Sequence, residues 1–222
     1  GAETMWVPGV CLLDGMAAEY GEETRLVKFK HDFSGDIIAS ARVMAKRYKS
    51  HVPHIQALER YALGIFDAMK KYHGMGRRER LLLQIAVNLH SCGKFISVRD
   101  ASDCSYNIIM STEIIGLSHR EREVVANVVR YNRKEFPYEE TGEDSMLIAK
   151  LEAILRLANS MDRSHKQKLA DAKIAVKDGV LTVSTSCEED ITLEKIAFEQ
   201  KQDFFEEIYG IRPVLKQKRR MK

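Results

Sequence analysis

The sequence is short of the features that mark several large classes of protein. No apolar run has the length of a membrane span, and the longest, residues 81–89, is interrupted by Gln84 and Asn88. Only four cysteines occur in 222 residues, and no pair has the C-x-x-C spacing of common zinc and redox sites. We therefore expect a protein of a reducing, cytoplasmic compartment, with no membrane span and no disulfide scaffold.

A phosphate-binding loop of the Walker type is also absent. Gly93-Lys94 comes closest, but no glycine stands five positions before Gly93, and Phe95 replaces the required Ser or Thr. The net charge of +3 is small for 222 residues, so it permits an anionic partner without requiring one. With 45% hydrophobic and 30% charged residues, the composition is that of an ordinary globular protein.

The spacing of apolar residues predicts a mainly α fold. From residue 33 to about residue 168, apolar residues recur at helical intervals. Residues 78–90 are apolar on almost every side, which predicts the buried central helix, and residues 141–164 predict a long one. Ser118-x-x-Glu121 has the spacing of a capping box, so we expect an amphipathic helix from there to Arg130.

The pattern changes in the last quarter of the chain. Two short alternating runs, residues 173–176 and 181–185, flank Asp178-Gly179, a sequence that favours a tight hairpin turn. The pattern then predicts a helix over residues 193–209 and a strand over residues 211–215. We expect this part to be a small β-β-α-β unit packed on the helices.

Several segments, in their order and spacing, resemble the C-terminal region of the Ppx/GppA family, the exopolyphosphatases and guanosine pentaphosphate phosphatases. The resemblance covers nearly the whole chain and is carried by His54, Asn88–Ile96, Ser105–Met110, Gly116–Ser118 and Asp162–Lys168. It implies an HD-like helical domain, which in this family follows a catalytic domain of the actin type. The activity implied for the parent protein is hydrolysis of phosphoanhydride bonds.

The resemblance also divides the chain into parts. Residues 1–22 are expected to be the tail of the preceding actin-like phosphatase domain, and residues 23–32 a linker. Residues 33–169 would form the HD-like helical domain, and residues 170–222 the small α+β unit. Because Gly1-Ala2 has the character of a cleaved tag and no Met precedes it, we expect a fragment of a longer protein.

Carried over by position, the metal site of an HD domain would use His54, His90 and the residues at 91 and 159. HD domains have Asp at the last two positions, whereas this chain has Ser91 and Asn159. A neutral hydroxyl or amide is a poor substitute for a carboxylate on a hard divalent cation. We therefore expect these four positions to be a remnant that holds no catalytic metal. No cofactor is expected in this chain, although the parent enzyme would use Mg²⁺.

The same resemblance, together with positive charge, suggests where a polyanion would bind. The predicted substrate-binding residues are Lys94, Arg99, Arg130, Arg163, His165, Lys166 and Lys168. Arginine offers a planar fork to phosphate oxygens and lysine a point charge. The predicted partners are polyphosphate or guanosine pentaphosphate, the chain's own N-terminal catalytic domain and a second copy of itself. The basic run at residues 77–80 is interpreted instead as a solvated helix face.

Three functions remain open at this point. The first is an accessory module that serves polyanion binding and dimerisation rather than catalysis. The second is an autonomous metal-dependent HD phosphohydrolase, against which Ser91 and Asn159 argue. The third is a module that binds nucleic acid non-specifically through the same basic residues, and the small net charge argues against it. We do not expect the isolated chain to be catalytic by itself.

Overall fold

The computed structural model describes Tyr20 and residues 33–132, 134–137 and 142–218. The chain divides into two units, residues 1–35 and residues 36–222. Apart from Tyr20, the predicted domain tail and linker lie outside the described residues. The second unit carries the site discussed below, and it contains both the helical part and the sheet. The predicted domain boundaries stay predictions.

Eight helices lie within residues 33–218, and we number them in chain order. They are α1 (Ser34–Arg47), α2 (Val52–Ala68), α3 (Lys70–His73), α4 (Arg77–Leu89), α5 (Ala101–Ser111), α6 (His119–Tyr131), α7 (Ser145–Ser160) and α8 (Thr192–Tyr209). There are also two short 3-10 helices in the described residues: Cys92–Phe95 directly follows α4, and Gly142–Asp144 directly precedes α7.

The three strands β1 (Lys173–Lys177), β2 (Val180–Thr185) and β3 (Arg212–Gln217) lie in that order in one sheet. β1 and β2 are antiparallel, and the turn between them is Asp178-Gly179, with positive φ angles of 52° and 73°. Two positive φ angles are what a type I′ turn requires, which explains the Asp-Gly sequence. β3 is parallel to β2, so α8 makes the crossover. The predicted mainly α fold with a β-β-α-β unit is confirmed.

The local helix signals hold, with small differences in extent. Ser118 Oγ accepts a hydrogen bond from the backbone N–H of Glu121, whose carboxylate accepts one from Ser118 N–H, so the capping box is confirmed. The central helix α4 buries eight of its 13 residues. Helix α7 is shorter than predicted, at residues 145–160 rather than 141–164. A 3-10 turn precedes it, and the chain after it turns around the buried Asp162.

One hydrophobic core joins the helices to the sheet. Phe198 and Phe205 lie two turns apart on α8, which packs against α7, and both are fully buried. Leu181 and Val183 of β2 belong to the same buried cluster. Each such side chain contributes about 2 kcal/mol of hydrophobic stabilisation. In the described part of the chain, no helix has the length and apolar character that a membrane span needs.

The 3-10 helix after α4 packs on α5 at a position where only glycine fits. Gly93 N–H donates a hydrogen bond to Ser105 Oγ at 2.8 Å. A Cβ atom on Gly93 would lie 2.1 Å from the carbonyl oxygen of Ala101 and 2.4 Å from the backbone nitrogen of Ser105. Because both are backbone atoms, no side-chain rotation could relieve the clash. This contact therefore fixes the end of α4, where His90 and Ser91 lie.

Replacing Gly93 by Ala should lower the free energy of unfolding by at least about 2 kcal/mol, since the added methyl group forces α5 away from the 3-10 helix. Urea denaturation followed by circular dichroism measures the change. Gly35→Ala in α1 is the matched control, because a Cβ there meets no atom within 4 Å, and alanine favours the helix by up to about 1 kcal/mol. Equal stability of the two variants would contradict the packing described here.

Candidate functional site

His54 and Asp162 form a buried hydrogen-bonded pair at the centre of the site. His54 lies on α2 and Asp162 just after α7, and their Nδ1 and Oδ2 atoms are 2.8 Å apart. The exposed fractions of the two residues are 2% and 0%. Because an ionised carboxylate only accepts hydrogen bonds, the proton lies on Nδ1 of His54. Nε2 is therefore the ring nitrogen of His54 whose lone pair points away from Asp162 and can accept a hydrogen bond or bind a metal ion.

Asp162 also organises the loop that it begins, residues 162–168. Its Oδ1 accepts a hydrogen bond from the backbone N–H of Gln167 at 2.7 Å, and its Oδ2 accepts one from Gln167 Nε2 at 3.1 Å. Burial raises the pKa of Asp162, but the hydrogen bonds from His54 and Gln167 outweigh it and hold the pKa below its usual value. Asp162 is therefore an anion at neutral pH despite its burial.

Tyr61 shares the face of α2 that carries His54, two turns further along. Its burial, followed by the negative charge of Asp162, raises its pKa to about 12. The phenol consequently stays protonated at neutral pH beside the buried pair.

A second buried carboxylate holds the same loop from the other side. Glu194, in the first turns of α8, is fully buried and accepts a hydrogen bond from Ser164 N–H at 3.0 Å. Its Oε2 lies 4.0 Å from Lys168 Nζ, which also donates to the backbone carbonyl of Asp190 at 2.5 Å. Lys168 thus has partners within the protein and ties the loop to the start of α8.

The loop backbone is strained where it crosses the pair. His165 and Gln167 have φ angles of 57° and 51°, a left-handed region that side chains other than glycine rarely adopt. The His165 ring stacks on the His54 ring, with 3.9 Å between their centroids. Burial, followed by electrostatic interaction with His54 and then with Lys94, lowers the pKa of His165 to about 4. His165 is therefore neutral at pH 7 and contributes no positive charge there.

His90 completes the group of rings, together with His51. Its Nδ1 lies 2.7 Å from the carbonyl oxygen of Val87, so Nδ1 carries the proton. The His90 ring is 5.3 Å from that of His54, and the His51 ring is 5.8 Å from that of His165. We call these four residues the histidine cluster. His54 and His90 are both buried and hydrogen-bonded.

The remnant metal positions do not assemble a full set of ligands. Ser91 is buried next to His90, whereas Asn159 is only half-buried near the end of α7. Across the residues that the structure describes, no three His, Cys, Asp or Glu side chains are placed to hold a metal ion together. Asp162 is hydrogen-bonded to Nδ1 of His54, in the way that a carboxylate orients a histidine whose other nitrogen binds a metal. The donor set present is therefore a poor fit for a catalytic divalent metal.

The predicted substrate-binding residues do not all lie in one environment. Arg163 and Lys166 are exposed on the loop, and Lys94 is close enough to His165 to lower its pKa. Arg130 has a different environment: its guanidinium is 2.9 Å from Asp103 and stacks over Tyr106. Arg99 is exposed in the loop before α5.

One cation near the loop was missed by the sequence analysis. Lys201, half-buried on α8, has its pKa lowered first by burial and then by the charges of Arg156 and Arg163. The interpretation of residues 77–80 as a balanced helix face agrees with the structure. Arg78 pairs with Glu121 at 2.5 Å, and Arg80 with Asp67 at 2.8 Å.

A family model described as Ppx/GppA phosphatase, domain III, matches residues 38–202. The chain belongs to this family. The match begins within α1 and ends within α8, and so includes the histidine cluster and the loop around Asp162. A search of the curated proteins finds no match to the chain.

Within this Ppx/GppA domain, Asp162 is the main residue that sequence reasoning missed. In the sequence analysis it is named only as the first residue of the Asp162–Lys168 segment and is given no role. The four positions expected to be a metal-site remnant include no carboxylate. The spacing in the sequence could have identified Asp162. This residue follows Asn159 by three residues, about one helical turn, so both residues are expected on the same side of the end of α7. The Ser105 segment gains a physical role too, because its hydroxyl accepts the hydrogen bond from Gly93 N–H.

Replacing Asp162 by Asn keeps the side-chain shape and removes the charge. We expect the free energy of unfolding to fall by about 3 kcal/mol at neutral pH, because a buried pair loses its ionised partner. The folded-state pKa lies below the unfolded value of 3.8. The contribution is therefore present above about pH 4 and is lost as the pH falls through the folded-state pKa.

Urea denaturation of both proteins between about pH 7 and pH 3 measures this difference, which should shrink at the acid end. Asp103→Asn is the control, since Asp103 is a partly exposed partner of Arg130 and Lys134 and should cost at most about 1 kcal/mol. A difference that stays constant down to pH 3 would show that folding does not lower the pKa of Asp162.

Proposed function

We propose that this Ppx/GppA domain III is an accessory module that grips the long anionic substrate of its parent phosphohydrolase, polyphosphate or guanosine pentaphosphate. The observation that carries the proposal is the loop at residues 162–168. It is anchored by two buried carboxylates, held in a strained conformation, and presents Arg163 and Lys166 to solvent. Strain of this kind persists where the surrounding structure enforces it, often at functional sites.

The electrostatics of the loop support the choice of an anionic ligand. Lys94 and Lys201 lie close to the loop, so four cations share this part of the surface. Arg163 and Lys166 can each give all their hydrogen-bond donors to phosphate oxygens, since the structure assigns them no carboxylate partner within the described residues. A rigid loop loses little conformational entropy when it binds, which favours affinity.

The proposal extends to the remnant metal site, to assembly and to location. We propose that His54 and His90 now stabilise the fold and orient His165 rather than hold a metal. A homodimer is proposed as well, supported by the exposed apolar side chains of Phe95, Ile96 and Val98 in one loop. We propose a cytoplasmic location because Cys92, Cys104 and Cys187 are all free thiols.

Reversing two charges on the loop tests the polyanion proposal. Arg163→Glu combined with Lys166→Glu should weaken binding of inorganic polyphosphate to the 222-residue chain at least tenfold, about 1.4 kcal/mol, and reduce its salt dependence. Isothermal titration calorimetry at two salt concentrations measures both effects. The fold should be unchanged because both side chains are exposed.

The matched control is Lys70→Glu combined with Lys71→Glu on α3, which makes the same charge change outside the histidine cluster. Equal weakening by both pairs would mean that only net charge matters. Duplex DNA titrated in parallel tests the nucleic-acid alternative: binding as tight as that of polyphosphate, with a steep salt slope, would favour it.

Metal content tests the second alternative, an autonomous HD phosphohydrolase. Elemental analysis of the chain, purified without chelator, should give less than about a tenth of an equivalent of divalent metal, because Ser91 and Asn159 supply no carboxylate. About one equivalent, lost in the variant with both His54→Ala and His90→Ala, would establish a working metal site and refute the proposal that it is a remnant.

A further inference from the structure

A separate cavity lies on the opposite side of α2 from the histidine cluster. It has a volume of about 450 Å³ and is bounded by α1, α2 and the end of α4. Gln56, Arg60 and Leu63 line it from α2, on the face away from His54 and Tyr61. The size falls in the range of small-molecule sites, about 300–1,000 Å³. None of the residues predicted to bind the polyanion lines this cavity.

The rim of the cavity carries an excess of positive charge. Arg42 and Lys46 stand one turn apart on α1, and Arg60 faces them from α2. Glu59 is the only carboxylate among the lining residues. Three cations and one anion leave a net charge of about +2, which matches a phosphate monoester dianion near neutral pH.

Glu59 already accepts three hydrogen bonds, so it holds the rim in place. Its Oε1 accepts from Arg42 Nη2 and Gln84 Nε2, both at 2.9 Å, and its Oε2 accepts from Asn88 Nδ2 at 3.0 Å. The carboxylate thus orients Arg42 at the mouth of the cavity. More than half of the Arg42 side chain is still exposed, which leaves donors for a ligand.

The interior is apolar, which separates this cavity from a simple anion site. Ala45, Ile55 and Leu63 form its floor, and Val52 lies at the edge, about half exposed. Inorganic phosphate or polyphosphate would gain nothing from these methyl groups. A ligand with an apolar body would gain roughly 25 cal/mol for each Å² of apolar surface that it buries.

We propose that this cavity binds an organic phosphate, with the phosphate between Arg42, Lys46 and Arg60 and the apolar body on Ile55 and Leu63. The guanidinium groups suit phosphate because their planar fork matches two of its oxygens. Arg60 also donates to the carbonyl oxygen of Ala170 at 3.1 Å, so its position is fixed before the ligand arrives. The proposal is independent of polyanion binding at the loop.

Methyl NMR of the 222-residue chain tests the proposal. The probes are adenosine monophosphate and hexyl phosphate, with inorganic phosphate and adenosine as their separate halves. At least one organic phosphate should shift the methyl resonances of Ile55 and Leu63 saturably by about 5 mM, enough to detect a Kd near 1 mM. Which of the two binds distinguishes a nucleotide-like from a lipid-like body. The two halves should bind at least tenfold more weakly.

Val52→Glu places a carboxylate at the mouth and should weaken the binding at least tenfold, while the fold is kept because Val52 is exposed in the first turn of α2. Val43→Glu is its matched control, an exposed residue of α1 that does not line the cavity, and it should bind as the wild type does. Lys46→Gln should also weaken binding, and its neighbour Arg47→Gln should not.

Either of two results would overturn the whole proposal, and a third would reject one part of it. One is the absence of saturable shifts with both organic phosphates; the other is equal affinity of the Val52→Glu and Val43→Glu variants. Shifts caused equally by inorganic phosphate would likewise reject the role of the apolar floor. The Arg163→Glu, Lys166→Glu variant should bind the organic phosphate normally, so failure at the loop and failure at this cavity are distinguishable.

Discussion

The pair formed by His54 and Asp162 is the contact on which the site depends. It joins α2 to the end of α7 across 108 residues of sequence. Burying a carboxylate is costly, and the chain offsets that cost by giving Asp162 three hydrogen bonds, from His54 and from the backbone and side chain of Gln167. These hydrogen bonds stabilise the loop at residues 162–168 in a conformation that includes the left-handed residues His165 and Gln167.

The consequences of this pair extend outward to the surface. Because Gln167 is bound to Asp162, His165 is brought over the His54 ring and becomes neutral, while Arg163 and Lys166 are left pointing into solvent. Glu194 holds the opposite side of the loop through Ser164. A buried anionic framework thus supports an exposed cationic edge, an arrangement in which rigidity and positive charge come from different residues.

The loop around Asp162 and the cavity between α1 and α2 are two candidate sites on different faces of the domain. Asp162 holds His54 in place through their hydrogen bond, and the His165 ring stacks on the His54 ring. This hydrogen-bonded polar cluster joins α2 to the end of α7 and shapes the neighbouring loop. The cavity between α1 and α2 lies on another face and is built from different residues. Each surface can therefore change without disturbing the other.

The sequence by itself determined the parts of this protein that rest on local physics. Helical periodicity placed the central helix, Ser118 and Glu121 placed the start of α6, and Asp178-Gly179 placed the hairpin, because each signal acts within a few residues. The order of motifs also identified the family. The candidate substrate-binding residues were named, but the sequence did not separate those with internal partners, such as Arg130 and Lys168, from those that face solvent.

Only the tertiary structure decided how distant residues meet. Asp162 reaches His54 because α7 ends beside α2, and the short range of periodicity carries no information about that approach. The lowered pKa of His165, the hydrogen bonds of Glu59 and the charge of the cavity rim arise in the same way, from burial and from partners far along the chain. Desolvation and hydrogen bonding act through space, and for that reason the chemistry of this domain is set by its fold and not by its motifs alone.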